Sequence, residues 1–100
     1  MIIKYLQSIK KFLSPDIRKI EYRNRTEYRN RQNQVHRLDG PAVINSDGTQ
    51  HWYQNDRLHR EDGPAIIRSD GSNQYFLNDQ EYSFEEFQLL QFSQGINVDE

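Results

Sequence analysis

The feature that most constrains this chain is an internal duplication. Residues 36–58 read HRLDGPAVINSDGTQHWYQNDRL and residues 59–81 read HREDGPAIIRSDGSNQYFLNDQE, a period of 23 residues. Twelve positions are identical, including His36/His59, Arg37/Arg60, Asp39/Asp62, Gly40/Gly63, Pro41/Pro64 and Asp56/Asp79; Trp52/Tyr75 and Tyr53/Phe76 are among five close swaps. One such unit is too short to enclose a core, so it folds only by stacking on its neighbours.

Turn formers punctuate each unit. Asp47-Gly48 and Asp70-Gly71 separate a β-branched run (42–45 in the first unit) from an aromatic one (50–54), which predicts a strand, a type I′ turn and a second strand. Asn55-Asp56 and Asn78-Asp79 predict another turn, because both residue types tolerate left-handed backbone. A short strand over 57–60 then meets Asp62-Gly63-Pro64, where the proline bars a helix. Upstream, Glu21-Tyr22-Arg23-Asn24-Arg25 and Glu27-Tyr28-Arg29-Asn30-Arg31 are near-copies. Residues 15–35 therefore predict basic polar strands and a loop, a degenerate unit in which Glu27-Tyr28-Arg29-Asn30 matches Trp52-Tyr53-Gln54-Asn55 out of step.

Both ends predict helices. Within residues 1–14, Ile2, Tyr5, Leu6, Ile9, Phe12 and Leu13 form an apolar stripe with Lys4, Gln7, Lys10 and Lys11 outside it, and Ser14-Pro15 stops the helix. Over 83–95, Ser83 and Glu86 form a capping box ahead of Phe84, Phe87, Leu89, Leu90 and Phe92, with Gly95 as the stop and 96–100 as a tail. Apolar residues make up only 34% of the 100, so the core is thin. The expectation is one α+β domain over 1–100. Its centre is an antiparallel β-meander of four to six strands made of tandem 23-residue hairpin repeats (36–58 and 59–82). An N-terminal and a C-terminal helix cap it.

The period, the aromatic-aromatic-x-Asn step and His-Arg-x-Asp-Gly-Pro-Ala together resemble the MORN-type repeat family (membrane occupation and recognition nexus), in a divergent branch common in bacterial and phage proteins. The resemblance covers residues 36–82, or from 21 with the degenerate unit. Two positions depart from it. Asn-Asp replaces the usual Asn-Gly turn at 55–56 and 78–79, and Arg37 and Arg60 stand where the usual unit has glycine. The resemblance implies hairpin ribbons that serve as protein-contact and dimerisation surfaces, with phospholipid binding proposed for some members.

Chemistry has little material. His36, His51 and His59 with Asp39 and Asp62 are the candidates for a metal or acid–base site, but a metal needs three or four converging ligands. That the pairs recur with the corner assigns them to shape: Asp39 and Asp62 to backbone N–H groups of their turns, Arg37 and Arg60 to those carboxylates or to neighbouring ones. No catalytic residue, metal or cofactor is expected, and no enzyme. No cysteine is present, no apolar run is long enough to span a membrane, and no secretory pattern opens the chain, so a soluble cytoplasmic protein is expected.

Along a strand, adjacent side chains face opposite ways, so Trp52 and Tyr75 share one face, Tyr53 and Phe76 the other. The leading expectation is a non-enzymatic protein-binding module, an inhibitor or adaptor of phage or mobile-element type acting by surface occlusion. Its contact residues would be Trp52, Tyr53, Tyr75 and Phe76, rimmed by Arg57 and Arg60. Charge offers an alternative: residues 1–37 carry +7 and residues 38–100 carry −9. Either the halves complement one another, within the chain or between copies, or Arg23, Arg25, Arg29 and Arg31, interleaved with Tyr22 and Tyr28, contact nucleic acid. A membrane surface is the weakest reading of the N-terminal stripe, which capping the meander already explains.

Overall fold

The structure is a computed structural model, and it describes residues 16–99. The predicted N-terminal helix lies outside the described residues. The chain runs through β1 (Arg18–Glu21), β2 (Arg25–Arg29), β3 (Val43–Asn45), β4 (Gln50–His51), β5 (Tyr53–Gln54), β6 (Arg57–Leu58), β7 (Ile66–Ile67), β8 (Asn73–Leu77), β9 (Gln80–Tyr82) and helix α1 (Phe84–Asp99). Seven strands form one antiparallel sheet in the order β1-β2-β3-β4-β7-β8-β9, while β5 and β6 pair as a separate hairpin. The sheet follows chain order, so this is a meander with a C-terminal helix.

The strand count exceeds the expected four to six for two reasons. The basic segment supplies a full hairpin, β1–β2, with Arg18 opposite Arg29 and Glu21 opposite Thr26. The run 50–54 is also divided at Trp52. The Trp52 N–H donates to the Ala65 carbonyl at 2.7 Å, and its carbonyl accepts from His59 N–H at 3.0 Å. Gln50 and His51 therefore lie between β3 and β7, while Tyr53 and Gln54 pair only with β6. β8 divides its pairing in the same way without a break: Asn73 and Gln74 pair with β7, and Tyr75 to Leu77 pair with β9.

The molecule is a slab, 48 × 35 × 18 Å. Its deepest residues are small. Ala42 and Ala65 are 0% exposed, and Ile66 and Phe87 complete the buried apolar set among the described residues. Each alanine links a unit to the one before it. Ala42 donates to His51 O and accepts from Tyr28 N–H, both at 2.8 Å; Ala65 donates to Gln74 O at 2.8 Å and accepts from Trp52 N–H. A methyl group is all that fits where two ladders meet this closely.

The turn chemistry differs from the sequence expectation. Asn55, Asp56, Asn78 and Asp79 all have positive φ (52°, 66°, 49° and 68°), so the Asn-Asp pairs take the type I′ geometry. The Asp-Gly pairs do not. Gly48 and Gly71 alone of those pairs have positive φ, at 95° and 90°. Gly48 N–H reaches Asn45 O at 3.0 Å, and Asn45 N–H reaches Thr49 O at 2.9 Å. That is a type I turn closed by a left-handed glycine, the three-residue hairpin loop. The Asp47 carboxylate accepts from Thr49 N–H, and Asp70 from Ser72 N–H, each at 2.9 Å, which ties each aspartate across its glycine.

α1 also departs from expectation. The capping box forms, with Ser83 N–H on Glu86 Oε1 and Glu86 N–H on Ser83 Oγ. Gly95 does not end the helix, which runs to Asp99, so the predicted tail is helical through 99. Its apolar residues do not form one buried face. Phe87 is 3% exposed and stacks on Tyr75 with centroids 4.9 Å apart, but Phe84, Leu89, Leu90 and Phe92 are exposed. The cause is that α1 packs mainly on β8 and β9 at one end of the sheet, and a helix lying against the last two strands buries one narrow stripe.

Nothing lies within 4 Å of a Cβ built at Gly71, so replacement there isolates backbone strain. Gly71→Ala is expected to lower unfolding stability by about 1–2 kcal/mol, read as a lower urea midpoint at unchanged slope.

Candidate functional site

The recurrent polar residues converge on the joints between units. Each Asn-Asp turn presents two backbone N–H groups that its own hairpin leaves unpaired, and both find acceptors where its unit joins the one before. Asn55 N–H donates to His36 Nδ1 and Asn78 N–H to His59 Nδ1, each at 3.0 Å. Asp56 N–H donates to Val35 O and Asp79 N–H to Leu58 O, both at 2.9 Å. The carboxylates return the bond: Asp56 Oδ1 accepts from Val35 N–H at 2.7 Å and Asp79 Oδ1 from Leu58 N–H at 2.8 Å. A backbone N–H can only donate, so Nδ1 of both imidazoles is the acceptor and the ring proton sits on Nε2. His59 Nε2 lies 3.1 Å from Glu61 Oε2, placed to donate there.

Arginine holds the corner. Arg37 Nε donates to Asp39 Oδ1 and its Nη1 to Pro41 O, each at 3.1 Å. Arg60 repeats this with Asp62 Oδ1 at 2.9 Å and Pro64 O at 3.1 Å. Each guanidinium also lies over an aromatic ring of the preceding strand, Arg37 over Tyr28 and Arg60 over Trp52, with Cζ 4.0 Å from the centroid in both cases. A Cβ on Gly40 or Gly63 would fall 2.9 Å from that Cζ, which is why the corner carries glycine. Among the described residues Asp39 and Asp62 thus serve the arginines rather than backbone N–H groups. The contacts also correct the alignment of the basic segment. Tyr28 stands where Trp52 does, not Tyr53, since His36 N–H pairs with Tyr28 O as His59 N–H pairs with Trp52 O.

The basic segment is largely paired within itself. Glu27 is buried and accepts from Arg25 Nε at 2.6 Å and from Arg29 Nε at 3.0 Å. Burial pushes its carboxyl up, but the two guanidinium groups outweigh that and hold it below the usual carboxylate range. Arg25 also lies 4.1 Å over the Tyr22 ring, and Arg31 pairs with Asp16 at 2.8 Å in the open. Of the four arginines proposed for nucleic acid, only Arg23 makes no ion pair among the described residues.

The six residues proposed for protein contact do not form one patch. Trp52 carries Arg60 on its ring, and Tyr75 is occupied by Phe84 and Phe87 of α1, at 5.6 and 4.9 Å. Arg57 pairs in register with Gln54, so it shares that residue's face rather than Tyr53's. Tyr53 and Phe76 remain, half-buried, on the face turned away from Tyr75 and α1. Burial pushes the Tyr53 hydroxyl up, and Asp79 and Asp56 push it further, so that face carries an acidic border. The signal that would have located the joints in the sequence is the identity of Asp56 and Asp79 where a glycine serves the turn better.

Among the described residues no three His, Asp or Glu side chains gather as a metal site would, and no helix is long and apolar enough to cross a membrane. No family model, curated protein or solved structure matches the chain.

Two outcomes follow from the joints. Burial lowers the pKa of His36, and burial with Arg68, opposed by Asp47, lowers that of His51. The unfolded chain then binds protons that the folded one resists, so stability is full above the ordinary value of 6.5 and falls as pH drops through it. The urea midpoint is expected to be lower at about pH 5 than at about pH 7.5, before the carboxylates titrate, and His36→Asn, which keeps an acceptor near Nδ1, flattens that slope. Arg60→Lys loses the fork and the ring contact together; it is expected to cost about 1–2 kcal/mol in the same measurement.

Proposed function

We propose that the chain is a small non-enzymatic protein-interaction module of MORN-like repeat build, an inhibitor or adaptor of phage or mobile-element type that works by covering a surface of its partner. The observation that carries this reading is how the side chains are used. In the two units His36 and His59, Arg37 and Arg60, Asp39 and Asp62, and Asp56 and Asp79 are engaged in holding the scaffold. The aromatic pair Tyr53 and Phe76 has no such duty and lies on the face that α1 does not cover. Aromatic rings held on a rigid strand suit recognition, because they bury area at low entropic cost. The acidic border of Asp56 and Asp79 favours a partner with basic residues around an apolar centre. Trp52, Tyr75 and Arg60 then act as supports for that face and Arg57 as an exposed cation on the other.

The alternative, nucleic-acid contact through Arg23, Arg25, Arg29 and Arg31, loses weight because three of the four are ion-paired, two sharing Glu27 and one with Asp16. Immobilised protein is expected to capture a discrete host protein at fixed stoichiometry. Tyr53→Ala with Phe76→Ala is expected to weaken capture at least about tenfold with the far-ultraviolet dichroism unchanged. Capture that survives both changes, or binding to single-stranded DNA or RNA that falls steeply with salt, would turn the reading against this face.

A further inference from the structure

The two ends of the sheet are unlike. β1 and β9 are its outer strands, and among the described residues no strand pairs with the far side of either. Tyr22 N–H donates to Arg25 O at 2.8 Å, which closes the β1–β2 hairpin and fixes its phase. Main-chain groups alternate along an antiparallel strand. Those of Arg18 and Ile20 therefore point at Arg29 and Glu27, and those of Lys19 and Glu21 point outward. At β9 the same alternation leaves only Glu81 facing out, because Asp79 N–H is bonded to Leu58 O and Ser83 N–H to Glu86 Oε1. β1 is thus the edge that another strand can extend.

We propose that this edge pairs with a second copy of the chain, β1 against β1 across a two-fold axis centred on Ile20. The strand reads Arg18-Lys19-Ile20-Glu21, so its two outward-bonding residues carry opposite charge. An antiparallel pair centred on Ile20 sets Lys19 opposite Glu21 of the second copy, and Glu21 opposite its Lys19. Each of those pairs exchanges both main-chain bonds and matches its charges. Ile20 meets its own copy at the closer spacing of about 4.5 Å between Cα atoms. The other two-fold registers are unfavourable: centring on Lys19 sets lysine against lysine, and centring on Glu21 sets glutamate against glutamate. A lone edge lysine blocks an incoming strand, but here Glu21, two residues on, supplies its counter-charge in the copy. Lys19 and Glu21 are exposed and Ile20 is half-buried, so the charges are accessible and the isoleucine gains cover. An isologous contact of this kind closes at two copies. β1 stands at the opposite end of the sheet from Phe76 in β8, so the contact is separate from the Tyr53 and Phe76 face.

Sedimentation equilibrium of the full chain reads this directly. The mass is expected to rise from one chain at about 1 μM to two at about 1 mM and to stop there, since so short an edge makes a small interface. Lys19→Glu and Glu21→Lys each set like charges across both pairs, and each is expected to raise the dissociation constant about tenfold. Mixing the two variants one to one is expected to restore dimers of parent strength, because each chain then meets its complement. The double exchange Lys19→Glu with Glu21→Lys in one chain is expected to restore them too. Both positions are exposed, and unchanged far-ultraviolet dichroism checks that the variants fold. A chain that stays monomeric at about 1 mM overturns the proposal. So does a dimer that neither single exchange weakens, a mixture no tighter than its components, or a mass that climbs past two chains. Tyr53→Ala with Phe76→Ala is expected to leave the dimer unchanged, so this proposal and the partner-binding reading fail separately.

Discussion

Four backbone N–H groups carry the architecture: those of Asn55 and Asp56, and of Asn78 and Asp79. A type I′ turn aims them outward, toward acceptors that its own hairpin lacks. Each time the first residue of the turn's own unit supplies an imidazole nitrogen and the last residue before it supplies a carbonyl, and the aspartate carboxylate returns a bond to that last residue's N–H. The turns are therefore docking elements as well as reversals. Asp at the second turn position has worse left-handed propensity than glycine, but its side-chain oxygen closes that second bond, which glycine cannot.

This way of building explains how a chain with so few apolar residues holds a seven-stranded sheet. In an 18 Å slab no large side chain among the described residues is fully enclosed, and the deepest positions are alanines. Cohesion comes from main-chain ladders and from guanidinium groups laid between an aromatic ring, a carboxylate and a glycine backbone. Arg37 over Tyr28 and Arg60 over Trp52 do for each corner what a leucine does in a thicker core: they cover a ring and fix the approach of two segments. The same economy ties up the polar groups that might otherwise have suggested catalysis.

The parts of the fold that were legible in the sequence are those set within a few residues. The hairpins, the corners at Gly-Pro, the capping box at Ser83 and the alternation of Tyr75 and Phe76 all follow from local sterics and hydrogen-bonding reach. The misreadings share a cause. Asp-Gly suggested type I′, but whether a loop closes over two residues or three depends on the register of the strands it joins, and Asn45 with Thr49 sets that register here. Residue type aligns the degenerate unit on Tyr53, while the hydrogen bonds of His36 make Tyr28 the equivalent of Trp52. The six contact candidates were grouped by chemistry, and the pairing of Arg57 with Gln54 separates them onto two faces.

The sequence by itself determined the unit: its 23-residue period, its reversals and the residue types each reversal requires. These are properties of φ/ψ preference and side-chain reach, which act over short stretches of chain. Only the tertiary structure decided how units join, which face of each strand α1 occupies, and that Glu27 draws Arg25 and Arg29 inward rather than leaving them for a phosphate. Those outcomes depend on atoms far apart in sequence. The acceptor for Asn55 lies 19 residues upstream, and the carbonyl that holds Gln91 lies 30 residues upstream, distances over which composition carries no geometry.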